Sequence, residues 1–259
     1  MLCGIPSSLL RWHWRTARDA HHRQSAGRGE TATNPGCAQC DTLIVRSRMT
    51  AITSGLRSIC LSTVNIPLFP LSSPLFPDSR MPLRIFEVRY LHMIKQCQKD
   101  EAPFGVVALR TGGEVQKPGV DESTHSIGCL AHLTDVIEVQ PGLLMIDTRG
   151  GQRFHIEANE RGAYGLWHGR VSLLDEDMAV DIPPDLQPLA DKLGALIADA
   201  QKQGLEKQLP LTRPYRLDEC GWVANQWATL LNIDTMVKVD LLSEEDPLAR
   251  LTKVKLLLS

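Results

Sequence analysis

The feature that most constrains the fold of this chain is a change in hydrophobic period near residue 183. Between residues 64 and 174 the apolar residues form short runs, several of which alternate with polar residues as in half-exposed β-strands. After Pro183-Pro184 the apolar residues recur at three- and four-residue steps, which is typical of amphipathic helices. The sequence therefore predicts an α+β fold in which a β-rich part precedes packed helices.

The β-rich part is expected to hold several short strands and one early helix. The predicted strands cover residues 64–71, 104–109, 127–139, 143–148, 153–158 and 166–174. Pro67 and Pro70 cannot donate to a ladder, so the first strand is expected at a sheet edge or a bulge. The helix begins at Leu83, and its apolar residues from Ile85 to Cys97 follow a helical period. Many short strands with one helix favour a small, partly open barrel.

Four helices are predicted after the two prolines. The first has an apolar stripe over residues 186–200 and is stopped by Gly204. Asp218 is expected to cap the second, and residues 233–242 form a shorter third. Asp246 caps the fourth, with proline at the first helical position and with Leu248, Leu251, Val254 and Leu258 facing inward. Trp222 and Trp227 are five residues apart, so one is expected in the core and the other more exposed.

Charge separates a basic leader from the rest of the chain. Residues 1–60 contain eight arginines, no lysine and three acidic residues, whereas the remainder carries 20 basic and 27 acidic residues. We interpret residues 1–60 as a disordered leader, with a transit peptide or a translation start at Met49 as alternatives. The predicted organisation is this leader, a β-rich subdomain over 61–180 and a helical subdomain over 181–259.

The cysteines favour a reducing compartment and no metal site. Seven cysteines are present, four of them in the leader, which is unlike a disulfide framework and favours the cytoplasm. Cys37 and Cys40 have the spacing of half a zinc site, but no second CxxC or HxxxH completes it. No apolar run approaches the ~20 residues needed to span a bilayer. We expect no cofactor, metal or membrane association.

Motifs of catalysis are missing from the sequence. No GxSxG, HExxH or GxxxxGK[ST] occurs, so neither a hydrolase elbow nor an ATP-binding loop is predicted. Asp121, Ser123 and His125 have the residue types of a hydrolase triad, but three alternating residues of one polar loop do not meet the geometry of a triad. Ser25-Ala26-Gly27 matches the end of a known serine-peptidase nucleophile motif only by chance, because the preceding Gly-Pro is absent. We expect no enzyme activity.

The chain resembles a known family through one long motif and three shorter ones. The string IPLFPL at 66–71, followed by LFP at 75–77 and MPLRIFEVRY at 81–90, resembles the Lon substrate-binding domain family, specifically its stand-alone bacterial members. Agreement continues with IGCLA at 127–131, TRGGQRF at 148–154, read as a hairpin, and KVDLL with DPLARL at 238–242 and 246–251. Cys129 stands where threonine is usual, and Val239 where glutamine is usual.

The resemblance implies a fold and a function. The fold would be a PUA-like pseudo-barrel followed by a helical bundle. The function would be to bind unfolded or extended polypeptide as an adaptor in protein quality control, with a protease or chaperone as a further partner. We expect an extended polypeptide to add to the proline-interrupted edge strand, or to bind between barrel and helices. The motif residues, which are architectural or candidate binding residues, are Arg84, Phe86, Glu87, Arg89, Tyr90, Arg153 and Phe154. On the predicted helix Arg84 and Glu87 are i,i+3 neighbours and can form an ion pair.

Two alternatives to polypeptide binding stay open. PUA-like barrels elsewhere bind RNA, but the body has no basic run and more acidic than basic residues, so nucleic acid is the less favoured partner. A hydrolase of unknown type is the third candidate, and no convergent acid, base and nucleophile support it. The sequence predicts neither the oligomeric state nor the identity of the client.

Overall fold

The strands and helices follow the predicted order, with one additional strand. The computed structural model describes residues 63–114 and 122–258, so the predictions on the leader and on Asp121 lie outside the described residues. The strands are β1 Thr63–Leu71, β2 Arg80–Ile85, β3 Phe104–Thr111, β4 Ser123–Gln140, β5 Leu143–Arg161 and β6 Trp167–Leu173. The helices are α1 Val88–Asp100, α2 Gln187–Lys202, α3 Cys220–Leu230, α4 Thr235–Ser243 and α5 Pro247–Leu258. The prediction of an α+β fold is confirmed.

The six strands form one sheet whose pairings return to their starting point. Their order is β2-β5-β4-β3-β1-β6, and β5 also pairs with β6, so β5, β4, β3, β1 and β6 follow one another in a ring. β1 and β3 are parallel, and the other pairs are antiparallel. β2 extends the sheet beside the first half of β5. The likeness of this arrangement to a PUA-like domain stays a prediction.

The prediction that β1 lies at a sheet edge is wrong. Its first six residues pair with β6 and its last four pair with β3, so the strand has a neighbour on each side. The two pairings are staggered and overlap only at Leu68. Pro67 and Pro70 are accommodated because each lies where only one neighbour pairs with the strand.

The prediction of a helix from Leu83 is also wrong, because residues 80–85 form the additional strand β2. The helix α1 begins only at Val88, after Glu87 in an extended conformation. The string RMPLRI alternates, and Ile85 is buried while the neighbouring Arg84 is exposed. Period-two alternation over these six residues was the signal for a strand.

The predicted hairpin at residues 148–154 is instead the middle of one long strand. β5 runs without interruption from Leu143 to Arg161, and the predicted strands 143–148 and 153–158 are its two halves. A Cβ atom at Gly150 would lie 2.0 Å from the carbonyl oxygen of Phe76. The glycine therefore permits a close approach of two backbones rather than a turn.

The core is formed by three clusters of buried side chains. One lies between α1 and the strands, and a second fills the ring of strands around Phe154. The third joins the helices to Phe76, Ala108 and Ile127 of the β-rich part. Strands and helices therefore share apolar packing. Within the described ranges, no helix is long and apolar enough to cross a membrane.

The helix ends match the predictions in part. Gly204 follows α2 with φ of 69°, and the Asp246 carboxylate accepts a hydrogen bond from the backbone N–H of Leu248 at 3.0 Å. Asp218 does not cap α3, because Glu219 holds the cap position and its side chain makes no cap bond. Leu248 is partly exposed rather than inward-facing. Trp222 is buried and Trp227 is half-buried, as their spacing predicts.

Candidate functional site

An exposed apolar surface lies at the end of the hairpin formed by β4 and β5. Arg84 of β2 pairs with Met145 of β5, which pairs with Ile137 of β4. Residues directly opposite in neighbouring strands share one face of a sheet, so these three side chains form a row. The adjacent residues on β2 and β5, Ile85 and Leu144, point to the other face and are buried in the core. The row therefore faces away from the core.

Further apolar side chains extend this row. Phe86 directly follows β2 and is 55% exposed, while Ile137 and Val139 are 54% and 57% exposed. We call Arg84, Phe86, Ile137, Val139 and Met145 the hairpin surface. Single exposed apolar residues are common on proteins, whereas a group of them beside one another is typical of a contact surface.

The margins of the sheet are poorly suited to strand addition. β2 pairs with β5 alone among the described strands, but the N–H of Arg80 on its outer side donates to the carbonyl of Pro210 at 2.9 Å. Successive residues of a strand direct their N–H and C=O groups to alternate sides, so the nitrogen of Pro82 is on the same outer side as that of Arg80. Proline has no N–H and cannot donate a hydrogen bond there. β4 has register shifts between Leu133 and Asp135 and between Glu138 and Gln140. Prolines and bulges protect sheet edges, so contact through side chains is favoured over main-chain pairing.

Arg84 has no charged partner in the described ranges. Every other arginine there forms an ion pair or a side-chain hydrogen bond, as Arg80 does with Asp147 at 2.5 Å. The predicted pair of Arg84 with Glu87 does not form, because the two residues are not on one helix. Glu87 instead accepts from Arg89 Nε at 3.1 Å.

Arg89 and Tyr90 are buried supports of α1. The guanidinium of Arg89 lies 3.8 Å from a carboxylate oxygen of Glu122 and 4.5 Å from the centre of the Tyr90 ring. The Tyr90 ring meets that of Phe69 edge-on at 4.0 Å, and burial raises the pKa of Tyr90. Glu122 also accepts from the Trp167 indole at 3.2 Å. These contacts connect α1 to the strands and leave neither side chain exposed to a partner.

Arg153 belongs to a buried ion cluster that joins β5 to the helices. Asp177 accepts from Arg153 Nη2 at 2.7 Å and from Arg250 Nη1 at 2.5 Å. Arg153 also donates to the carbonyls of Leu242 and Glu244 at 3.0 and 2.7 Å. Burial and the neighbouring Arg250 lower the pKa of Arg153, and Asp177 opposes this shift. The arginines of two sequence motifs therefore bind one carboxylate, and no local sequence pattern predicts this contact.

Phe154 is a packing residue. Its side chain is fully buried inside the ring of strands. A Cβ atom at Gly105 or Gly128 would lie 2.7 or 2.5 Å from its ring, so both glycines make room for it. Such contacts leave no surface for a ligand.

The groups suggested for catalysis do not assemble in the described ranges. The hydroxyls of Ser123 and Thr111 lie 2.7 Å apart, and Arg110 also donates to Ser123. Burial and the neighbouring Arg110 lower the pKa of His125, which lies on the same strand two residues later. No hydrogen bond joins Ser123 to His125 among these residues. No group of three potential metal ligands is found in the described ranges.

A shallow cavity of about 390 Å³ lies in the helical part. It is lined by Asp181, Ile182, Gln187, Leu217 and Asp218. This set contains two aspartates but no serine, cysteine or histidine, so the lining offers no Ser–His or Cys–His pair, and it has few apolar side chains. The hairpin surface is therefore the better candidate for a functional site.

Comparison with known proteins identifies the family. The model of the ATP-dependent protease La (LON) substrate-binding domain matches residues 65–259, which is more than half of the chain. The chain belongs to this family. A crystal structure of a Lon N-terminal domain protein from Xanthomonas campestris has 26% sequence identity and a TM-score of 0.58, covering 74% of this chain and 98% of that one.

A full-length relative places the Lon substrate-binding domain in a larger context. The Lon protease of Aquifex aeolicus (strain VF5) is 26% identical over 198 residues, covering 73% of this chain. The chain spans 24% of the length of that relative. Membership of the Lon substrate-binding domain family supports a substrate-binding role. The activity named for the whole protease is a property of that relative.

Proposed function

We propose that this chain binds unfolded or extended polypeptide through the hairpin surface and performs no bond-making chemistry itself. The proposal depends on one observation: a group of apolar side chains is exposed on a domain of a substrate-binding family. The chain would act as an adaptor that presents clients to a separate protease or chaperone. We place this activity in the cytoplasm because cysteines are sparse, and Cys97, Cys129 and Cys220 are free and buried.

The charge distribution favours polypeptide over RNA. RNA binding draws affinity from clustered cations that are free to neutralise phosphates. In the described ranges every arginine other than Arg84 is engaged by a side-chain hydrogen bond or an ion pair. Their ion pairs number eleven, among them Arg170 with Glu157 and Arg213 with Glu206. Engaged arginines contribute less to a phosphate-binding surface.

Binding to a permanently unfolded protein tests the proposal. Fluorescein-labelled, reduced and carboxymethylated α-lactalbumin is titrated with the chain, and binding is measured by fluorescence anisotropy. Replacing Ile137 and Val139 together by serine should weaken binding about fivefold, because removing partly exposed apolar contacts costs about 1 kcal/mol. Met178→Ser is the matched control, since Met178 is an exposed apolar residue of the loop after β6.

Two results would argue against the proposal. One is an absence of binding by the unmodified chain, and the other is an equal loss in the Met178→Ser control. A single-stranded RNA probe in the same assay covers the alternative. RNA binding that falls steeply with salt and survives deletion of residues 1–60 would favour RNA as the ligand.

A further inference from the structure

We infer that the hairpin surface selects polypeptide segments in which an acidic side chain lies beside apolar residues. Arg84 forms the ion pair with the carboxylate of that side chain. This inference rests on the proposed function and names the chemistry of its substrate. The occupant is an extended segment that carries an aspartate or glutamate within the chain. The argument is charge complementarity at an unpaired cation.

The first step is the contrast between Arg84 and its neighbours. Arg80, on the same strand, donates to both oxygens of Asp147, at 3.1 and 2.5 Å. Arg149, on the adjoining strand, pairs with Asp78 at 2.5 Å. Arg84 is exposed and has no ion pair or hydrogen bond to any described residue. Its positive charge is therefore available to a partner.

The second step is the surroundings of Arg84. Met145 and then Ile137 lie beside it in the row, and Phe86 follows it by two residues. A partner that covers these apolar side chains also excludes water from the guanidinium, which strengthens an ion pair formed there. Guanidinium binds a carboxylate through two parallel hydrogen bonds, so it favours an acidic side chain over an amide.

The third step is that the domain's own acids do not occupy this position. Asp147 is engaged by Arg80. Asp135 is in the neighbouring row on β4, two strands away from β2, which is about 10 Å at the spacing of strands. Glu138 pairs with Leu144 and belongs to the other side of the sheet.

Matched peptides test the inference. The probe is a short fluorescein-labelled peptide of leucine and serine with one central glutamate and an amidated C-terminus, compared with its glutamine and lysine versions. The unmodified chain should bind the glutamate peptide about fivefold more tightly than the glutamine peptide, in the range of a partly exposed ion pair. Arg84→Gln should remove this preference, and Arg84→Glu should shift it to the lysine peptide.

The controls separate this inference from the proposed function. Arg170→Gln changes an exposed arginine of β6 and should keep the preference for glutamate. Circular dichroism verifies that each variant is folded. Equal binding of the glutamate and glutamine peptides, or a preference that persists in Arg84→Gln, overturns the inference alone. A further comparison uses the glutamine peptide with a free C-terminal carboxylate. If this peptide binds more tightly than its amidated version, while the internal glutamate gives no increase in affinity, the inference is also overturned. Absence of binding to every peptide and to unfolded α-lactalbumin instead overturns the proposed function.

Discussion

Removing the carboxylate of Asp177 should destabilise the domain strongly. Asp177 accepts hydrogen bonds from Arg153 and from both terminal nitrogens of Arg250, at 2.5 to 3.1 Å. Both arginines are almost completely buried, so Asp177→Ala leaves two neighbouring positive charges without their counter-ion. Breaking a buried ion pair by removing one partner typically costs 3–5 kcal/mol. We expect about 3 kcal/mol here, because Asp177 is itself partly exposed and backbone carbonyls still accept from both arginines.

Urea unfolding measures this cost. The free energy of unfolding is obtained from tryptophan fluorescence and far-ultraviolet circular dichroism, which should give coincident transitions. Asp175→Ala is the matched control, because Asp175 is exposed and lies two residues earlier in the same loop. A loss below about 1 kcal/mol for Asp177→Ala, or one no larger than that of Asp175→Ala, would refute the assignment of this cluster as the link between strands and helices.

Three further predictions concern packing, helix capping and a buried thiol. Gly150→Ala should lower the free energy of unfolding by about 3 kcal/mol, because the new methyl group meets a backbone carbonyl. Gly194→Ala on α2 meets only the end of the Leu217 side chain, at 3.3 Å, and replaces a helical glycine, so it should cause no such loss in the same urea assay. Asp246→Ala should lower the free energy of unfolding by about 1 kcal/mol and Asp218→Ala by much less, since of these two aspartates Asp246 alone accepts a cap hydrogen bond. Equal losses for the two variants in thermal unfolding would contradict this assignment. Burial raises the pKa of Cys97 from 9.0 to about 11, so its stabilising contribution is complete below pH 9 and is lost as the pH rises through 11. Iodoacetamide should therefore leave Cys97 unmodified in the folded protein at pH 8, and mass spectrometry that finds it rapidly alkylated would oppose this.

The parts of the fold that depend on local period could be predicted from the sequence. Strands with clear alternation and helices with one apolar stripe lie close to their predicted places, and the Asp246 cap is correct. The order of strands was not accessible, because pairing between distant segments leaves no local pattern. The two prolines of β1 predict an edge position or a bulge, but two neighbouring strands share the length of β1.

The candidate site shows the same limit. Arg84 belongs to the long sequence motif, but the predicted helix would pair it with Glu87. The sequence therefore does not predict that its charge is unpaired. Only the register of β2, β5 and β4 brings Arg84 beside Met145 and Ile137. Ile137 lies in a predicted strand. The sequence does not predict that its side chain is exposed, because this depends on which face of the strand packs against the core. The roles of Arg89, Arg153 and Phe154 as supports follow from their burial.

Site-specific photo-crosslinking gives the most direct test of polypeptide binding at the hairpin surface. A benzoylphenylalanine replaces Ile137 in one variant and Arg170, on β6, in another, and each is irradiated with unfolded α-lactalbumin. The account predicts a strong crosslinked product from position 137 and little from position 170. Crosslinking that is equal at the two positions, or confined to position 170, would contradict it.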